Sequence, residues 1–224
     1  DITAFYHGLQ MQLPVYLNAA LGIEKKKHPD KEIVPAGIFY YRIQDPLVDR
    51  ADTEEEVEKS ILKELKLDGL VNGEEAVVEH LEHGLSGTSV LFPIGRNKDG
   101  SLSQWSRALA PEEFDTVLAY TEQKEKDLKA EMYGGEAAPA PYEMGNATAC
   151  DYCACRDICG FDQRIGGYGY RALEKYSVEE AVEKMKERLK RAEKNTEKDA
   201  EENGRKSTER NRREKTGGGE QGWE

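Results

Sequence analysis

The sequence predicts an α/β domain rich in helix, followed by a cysteine-bearing segment and a charged tail. Three observations predict it. Apolar residues recur at helical spacing in three separate stretches; residues 33–43 are instead dense in β-branched and aromatic side chains; and no Leu, Ile, Val or Phe occurs after Leu189. A chain of 224 residues suits one domain with an appendage. The last 35 residues bury nothing that could offset the entropy of ordering them, so the body is expected to fold and the tail to stay disordered.

Residues 5–21 carry Leu9, Leu13, Leu17 and Leu21 every four positions, the stripe of one amphipathic helix, with Gly22 as its stop. After a charged loop, residues 33–43 read as a strand covered on both faces, with Pro35 and Gly37 confining its start to an edge or bulge. Thr53 with Glu56 makes a capping box for a second helix over 53–67, with Val57, Ile61 and Leu65 as its stripe and Asp68-Gly69 as its end. A short helix over 74–82 follows. Residues 90–95 and 102–105 flank the turn cluster Arg96-Asn97-Lys98-Asp99-Gly100 and predict a β-hairpin. Pro111 opens a third long helix to about Met132, burying Phe114, Val117, Leu118 and Thr121. Residues 134–141 are loop, and a last helix ends near Leu189 after Val182 and Met185.

Acidic residues outnumber basic ones 44 to 32, a net charge of −12, which argues against an autonomous nucleic-acid binder. No apolar run approaches the ~20 residues of a membrane span and no secretory pattern opens the chain, so a soluble, cytoplasmic setting without a membrane is expected.

Four cysteines fall within ten residues in the spacing Cys150-x2-Cys153-x-Cys155-x3-Cys159, beside Asp151, Arg156 and Asp157. That is not core composition, and in a cytoplasmic chain such a bunch favours metal over disulfides. A zinc ribbon needs a second Cys-x2-Cys pair some distance away, and none exists. Iron–sulfur clusters take cysteines from remote parts of a chain, so a local triplet is admissible. Spacing alone leaves both metals open, and leaves Cys155 open as a fourth ligand.

Residues Cys150-Asp151-Tyr152-Cys153-Ala154-Cys155-Arg156-Asp157-Ile158-Cys159-Gly160-Phe161-Asp162 resemble the Cys-x2-Cys-x5-Cys motif and following Phe-Asp of the AddB family, the B subunits of helicase–nucleases. Upstream, Gln12 and Tyr16 within Tyr6-His7-Gly8-Leu9-Gln10-Met11-Gln12-Leu13-Pro14-Val15-Tyr16-Leu17 resemble the Gln-x3-Tyr motif of RecB-type nucleases in the PD-(D/E)xK superfamily. Residues 35–41 through Gln44-Asp45-Pro46 resemble the strand between these motifs. The resemblance spans most of residues 1–170, in the expected order.

It implies a partial RecB-type PD-(D/E)xK nuclease fold over residues 1–170, ahead of the terminal helix over 171–189 and the charged disordered tail over 190–224 that spacing and composition predict. It implies that Cys150, Cys153 and Cys159 bind a structural four-iron four-sulfur cluster whose fourth ligand lies upstream, outside this chain, with Cys155 a non-ligand or its substitute. Gln12 and Tyr16 would border the nuclease centre as auxiliary catalytic residues. The family's metal-binding Asp and Asp/Glu-x-Lys precede the Gln-bearing helix, and Asp1 is no substitute, so this piece alone is expected to be inactive. The complete protein is expected to be a Mg²⁺-dependent DNA exonuclease, paired with an AddA-type helicase–nuclease subunit that supplies the ATP-driven motor, acting on double-strand DNA ends in recombinational repair.

Smaller signals read as structure. His80 and His83, with Glu79 and Glu82, suit an exposed charged helix rather than a metal site, because no third ligand is suggested. Gly166-Gly167-Tyr168-Gly169-Tyr170 lacks the strand and the Gly-Lys-Ser/Thr ending of a phosphate loop and reads as a turn whose tyrosines pack near the cluster. The basic residues Arg205, Lys206, Arg210, Arg212, Arg213 and Lys215 are interleaved with acids, the pattern of a solvated tail. Two other readings of the whole remain: a different RecB-family exonuclease of the CRISPR-associated type, and a non-catalytic zinc-binding interaction module.

Overall fold

A three-stranded sheet positions everything else in the computed structural model, which describes residues 2–43, 45–49, 53–135 and 137–216, the side chains of 197 and 199–216 excepted. Asp1, Gln44 and the glycine-rich end 217–224 therefore lie outside the described residues. The central strand β2 (Asp68–Asn72) pairs antiparallel with β1 (Gly37–Tyr40), in the register Ile38 to Leu70, and parallel with β5 (Ala108–Leu109). The expected helix stop at Asp68-Gly69 is thus corrected: these two residues begin the middle strand. Gly69 is required there, because a Cβ on it would stand 1.9 Å from the Ile38 carbonyl oxygen across the ladder.

Alternation along the strands divides the apolar residues between two cores. On one face Ile38 and Leu70 join Phe5, Leu109, Phe114, Val117 and Leu118; on the other, Val71 packs with Val78, Leu85 and Ile94, and Phe39 lies against them. The second face is covered by α4 (Glu75–Leu81) and by the antiparallel pair β3 (Gly87–Thr88) with β4 (Gly95–Arg96).

The first face is covered by helices. The single helix expected over 5–21 is broken into α1 (Ile2–Tyr6) and α2 (Gln12–Lys27). The break is a C-terminal cap in which Gly8 takes a φ of +87°, its N–H reaching the Phe5 carbonyl at 2.8 Å while the Leu9 N–H reaches that of Ala4 at 2.8 Å. Leu13, Leu17 and Leu21 still face the core, as expected, whereas Gly22 does not stop the helix. Pro14 is buried in the first turn, where its missing N–H costs no hydrogen bond.

Helix α5 (Pro111–Tyr133) buries Phe114, Val117, Leu118, Tyr120 and Thr121, close to the expected span. It packs on α6 (Val178–Thr216) through Ala181, Val182 and Met185. This last helix runs past the end expected near Leu189. Its continuation is rich in Glu, Lys and Arg, residue types of high intrinsic helix propensity.

Three further expectations are corrected. The strand over 33–43 shrinks to four residues, and Tyr40, Tyr41 and Ile43 are exposed, because β1 is an edge strand. The hairpin across 96–100 survives as one bridge between Arg96 and Leu102. The Ser89 hydroxyl accepts from the Leu91 and Phe92 amides, turning the chain so that β4 pairs with the preceding β3 instead. The helix over 53–67 is shorter, α3 (Glu54–Glu64), although Thr53 caps it as expected by accepting from the Glu56 amide at 3.3 Å. Among the described residues no helix is long and apolar enough to cross a membrane.

Candidate metal centre

The cysteine segment is a loop held at both ends by a second small sheet that local sequence pattern does not disclose. Strands β6 (Tyr142–Met144) and β7 (Ala147–Thr148) form a tight hairpin around Gly145, at a φ of +63°. Strand β8 (Arg171–Ala172) pairs parallel with β6, matching Tyr142 to Arg171. The chain therefore leaves β7 at Thr148, presents its four cysteines, and returns beside its starting point at Arg171.

Short-range hydrogen bonds set the loop's path. The Asp151 carboxylate accepts from the Thr148 amide at 2.8 Å and from its hydroxyl at 2.6 Å, and these bonds hold the carboxyl below its ordinary value. The Thr148 hydroxyl in turn accepts from the Cys150 amide at 3.2 Å. Successive turns follow, in which the Cys153 amide donates to the Cys150 carbonyl and the Cys159 amide to that of Cys155. Cys150 is half-buried and Cys153, Cys155 and Cys159 are exposed, all four as free thiols.

Beyond the last cysteine the chain turns inward. The Phe161 amide donates to Cys159 Sγ at 3.4 Å, and the Phe161 ring meets those of Tyr170 and Tyr168 at 5.0 and 5.8 Å between centroids. The tyrosines of the Gly-Tyr-Gly-Tyr stretch thus pack beside the cysteines. Hydrogen bonding with Cys150 and burial raise the Tyr170 phenol above its ordinary value. Asp162 is engaged by Arg164 through the backbone amide and the guanidinium, at 2.9 and 2.6 Å for the closest contacts.

As a donor set, soft thiols grouped within ten residues fit an iron–sulfur group, and a backbone N–H already directed at one sulfur is the kind of contact that stabilises a thiolate ligand. Among the described residues no three His, Cys, Asp or Glu side chains, those of the four cysteines included, come together in a group that could hold a metal ion. His80 and His83 do not form one: His80 Nδ1 lies 2.6 Å from the Ala76 carbonyl, and His83 pairs with Glu79 at 2.5 Å in solvent.

The other residues singled out in the sequence stand on a different element. Gln12 and Tyr16 occupy the first turns of α2, exposed and turned about 100° round the helix from Leu13 and Leu17, and Gln12 Nε2 donates to the Tyr16 hydroxyl at 3.1 Å. Among the described hydrogen bonds and ring contacts, none joins this pair to the cysteine loop. Near the start of α2 lies a cleft of about 820 Å³, lined by Phe5, Leu13, Ile38, Leu70 and Trp105 with Arg107 at its polar side. Sequence reasoning misses this cleft, because it forms where α1, the sheet and the start of α6 meet. The ion pair of Arg107 with Asp68 ties its rim to β2.

Comparison with known proteins places this arrangement in a lineage. Residues 2–160 match the PD-(D/E)XK nuclease superfamily. The B subunit of the ATP-dependent helicase/deoxyribonuclease of Thermoanaerobacter sp. (strain X514) is 37% identical over 177 residues, covering 78% of this chain and 15% of that protein. The protein of the same name from Lachnoclostridium phytofermentans is 35% identical over 189 residues, covering 80% and 16%. That from Clostridioides difficile (strain 630) is 37% identical over 192 residues, covering 83% and 16%. The chain spans about 15% of the length of the curated relatives it matches. The match reaches from α1 through α5, both strands of the β1–β2 pair and the cysteines to residue 160, so the α/β nuclease fold expected from the sequence holds. The chain belongs to the PD-(D/E)XK nuclease superfamily and, within it, is similar to the B subunits of ATP-dependent helicase/deoxyribonucleases.

Proposed function

We propose that this chain is the metal-stapled part of the nuclease domain of an AddB-like subunit, which degrades DNA strands at double-strand breaks in the cytoplasm during recombinational repair. The observation that carries the reading is the cysteine loop itself. In a superfamily nuclease domain, its two ends are pinned by β7 and β8, and a backbone donor is already directed at Cys159.

Cys150, Cys153 and Cys159 are the residues that hold a four-iron four-sulfur cluster, with the remaining ligand supplied from outside the chain. When bound, the cluster supplies cross-linking rather than electron transfer: it joins this loop to a remote segment and so restricts the unfolded chain. Mg²⁺ held by carboxylates of the complete domain supplies the Lewis acid for phosphodiester hydrolysis. In this chain Gln12 and Tyr16 act on the strand: the amide of Gln12 and the phenol of Tyr16, already bonded to one another, present a donor pair to phosphate oxygens or metal-bound groups. The ATP-driven motor belongs to an AddA-type partner subunit. The net charge of −12 fits a piece whose DNA contacts are completed by other parts of a large assembly.

The test is to purify the full-length subunit with its partner without oxygen and assay iron, acid-labile sulfide and Mg²⁺-dependent digestion of linear duplex DNA. Iron and sulfide in near-equal amounts, lost when Cys153 is replaced by Ser, support the reading. A colourless complex carrying zinc, without digestion, would sink it in favour of a zinc-binding interaction module.

A further inference from the structure

We propose that Thr3, His7 and Tyr176 form a latch by which the segment between β8 and α6 grips the joint between α1 and α2, so that Thr3 and His7 are positioning residues for the Gln12–Tyr16 pair. The inference rests on the nuclease reading above.

The joint needs a hold from outside. Helix α1 has five residues, too few to persist on its own hydrogen bonds, and the turn at Gly8 follows it directly. On one side α5 supplies a hold: the Tyr120 hydroxyl donates to the Tyr6 carbonyl at 2.7 Å. On the other side stands the chain on its way from β8 to α6. The buried Thr3 hydroxyl donates to the Tyr176 carbonyl at 3.0 Å and accepts from the Tyr176 amide at 3.2 Å. Residue 176 belongs to no helix or strand, so a single side chain serves both backbone groups there. His7 Nε2 lies 2.9 Å from the Glu174 carbonyl, which can only accept, so that nitrogen carries the hydrogen. The His7 ring stacks on Tyr176 at 5.7 Å between centroids, and Tyr6 meets both rings edge-on at 5.1 and 5.5 Å. Lys184 of α6 places its Nζ 4.6 Å from the centre of the Tyr176 ring.

These bonds join residues 173 and 167 positions apart, and their partners at 174 and 176 lie beyond residue 160, where the superfamily match ends. The tertiary fold alone brings them together. Leu13, Leu17 and Leu21 seat the length of α2 on the core, but its first turn leaves directly from the joint. Gln12 and Tyr16 sit in that turn and, among the described hydrogen bonds, their side chains bond only to one another. Their placement is therefore inherited from the backbone that the latch holds. Releasing Tyr176 leaves its amide and carbonyl without the Thr3 hydroxyl and frees the joint to shift about Gly8, and a small displacement of groups acting on a strand is enough to slow the chemistry.

The experiment uses the full-length subunit in complex with its partner and follows Mg²⁺-dependent digestion of linear duplex DNA. Thr3→Val keeps the shape and removes both hydrogen bonds: kcat should fall about tenfold while KM stays within about twofold of the parent. Hydrogen exchange at the Gly8 and Leu9 amides, which bond to Phe5 and Ala4, should quicken in the same variant. Thr3→Ser returns the hydroxyl and should return the rate. His7→Phe keeps a ring against Tyr176 and removes the donor, so it should lower kcat in the same way, and it decides the matter alone if Thr3→Val does not fold. His83→Phe, in solvent beside Glu79, is the control and should match the parent. A parental kcat in both Thr3→Val and His7→Phe, or a loss that Thr3→Ser does not restore, overturns the latch. A parent complex that does not digest DNA fails the nuclease reading and the latch with it, whereas a digesting parent with indifferent variants fails the latch alone.

Discussion

Gln12 and Tyr16 stand one turn apart at the start of α2, with the Gln12 amide donating to the Tyr16 hydroxyl at 3.1 Å in solvent. A bond between two exposed groups adds little to stability, since both are equally served by water. The pair is therefore free to be exchanged without harm to the fold. Gln12→Ala and Tyr16→Phe in the full-length complex should each leave the stability within about 0.5 kcal/mol of the parent. Each should slow digestion of linear DNA roughly 10- to 100-fold, the cost of misplacing a strand at the reacting centre. Unchanged digestion rates would remove both residues from the site.

The cysteines should divide by variant. Cys150→Ser, Cys153→Ser and Cys159→Ser are expected to lose iron and brown colour, whereas Cys155→Ser keeps them. Cys155 is exposed, and its carbonyl serves the turn by accepting from the Ile158 and Cys159 amides, a role that a serine preserves. Iron content of the purified complex decides the matter: loss of iron in Cys155→Ser would make it the fourth ligand.

The sheet has one position that tolerates no side chain. Gly69→Ala sets a Cβ against the Ile38 carbonyl at 1.9 Å, so β1 must move away from β2. The expected loss is about 2 kcal/mol or more, the scale of overpacking a rigid backbone contact. Phe114→Ala, at a fully buried ring in the first core, should cost about 3–5 kcal/mol. Urea midpoints compare the two, and a Gly69→Ala midpoint equal to that of the parent would refute the close pairing.

Lys124 gives the fold a pH dependence. Its amine is half-buried, its Cε lies close to Gly8 of the α1 cap, and burial, followed by the nearby Arg188, lowers its pKa from the ordinary lysine value. Lowered means that the unfolded chain holds the proton over a range where the folded protein has released it. Stability from this group therefore rises as pH increases through the folded value towards the unfolded one. Denaturant midpoints of the parent minus those of Lys124→Met should climb as the pH is raised towards the ordinary lysine value of about 10.4. A flat difference would show that the amine is solvated in the folded state. The comparison is made as a difference because Tyr120, whose phenol is buried and raised, acts in the opposite direction at the alkaline end.

Much of the architecture is legible in local pattern. The α5 span, its buried Phe114, Val117 and Leu118, the Thr53 cap and the leucines facing the core from α2 all follow from spacing within one or two turns. The cysteine bunch and the Gln-Tyr pair are equally visible, because their meaning lies in residue type and interval. The break at Gly8 is not: glycine inside a leucine stripe reads as tolerated until the cap geometry demands a positive φ and Lys124 fills the space a Cβ would take. Gly69 escapes for the same reason, since a glycine that ends a helix and one that admits a neighbouring strand look alike in one dimension.

By itself, then, the amino-acid sequence determined the helices, the thiol donors and the lineage, all of which depend on neighbours along the chain. Only the tertiary structure decided which strand stands in the middle of the sheet, that β6 and β8 close the cysteine loop, and that Phe161 and Tyr170 meet beside Cys159. Those relations join residues from nine to 37 apart, where strand pairing, ring packing and the satisfaction of backbone groups, rather than local propensity, settle the outcome.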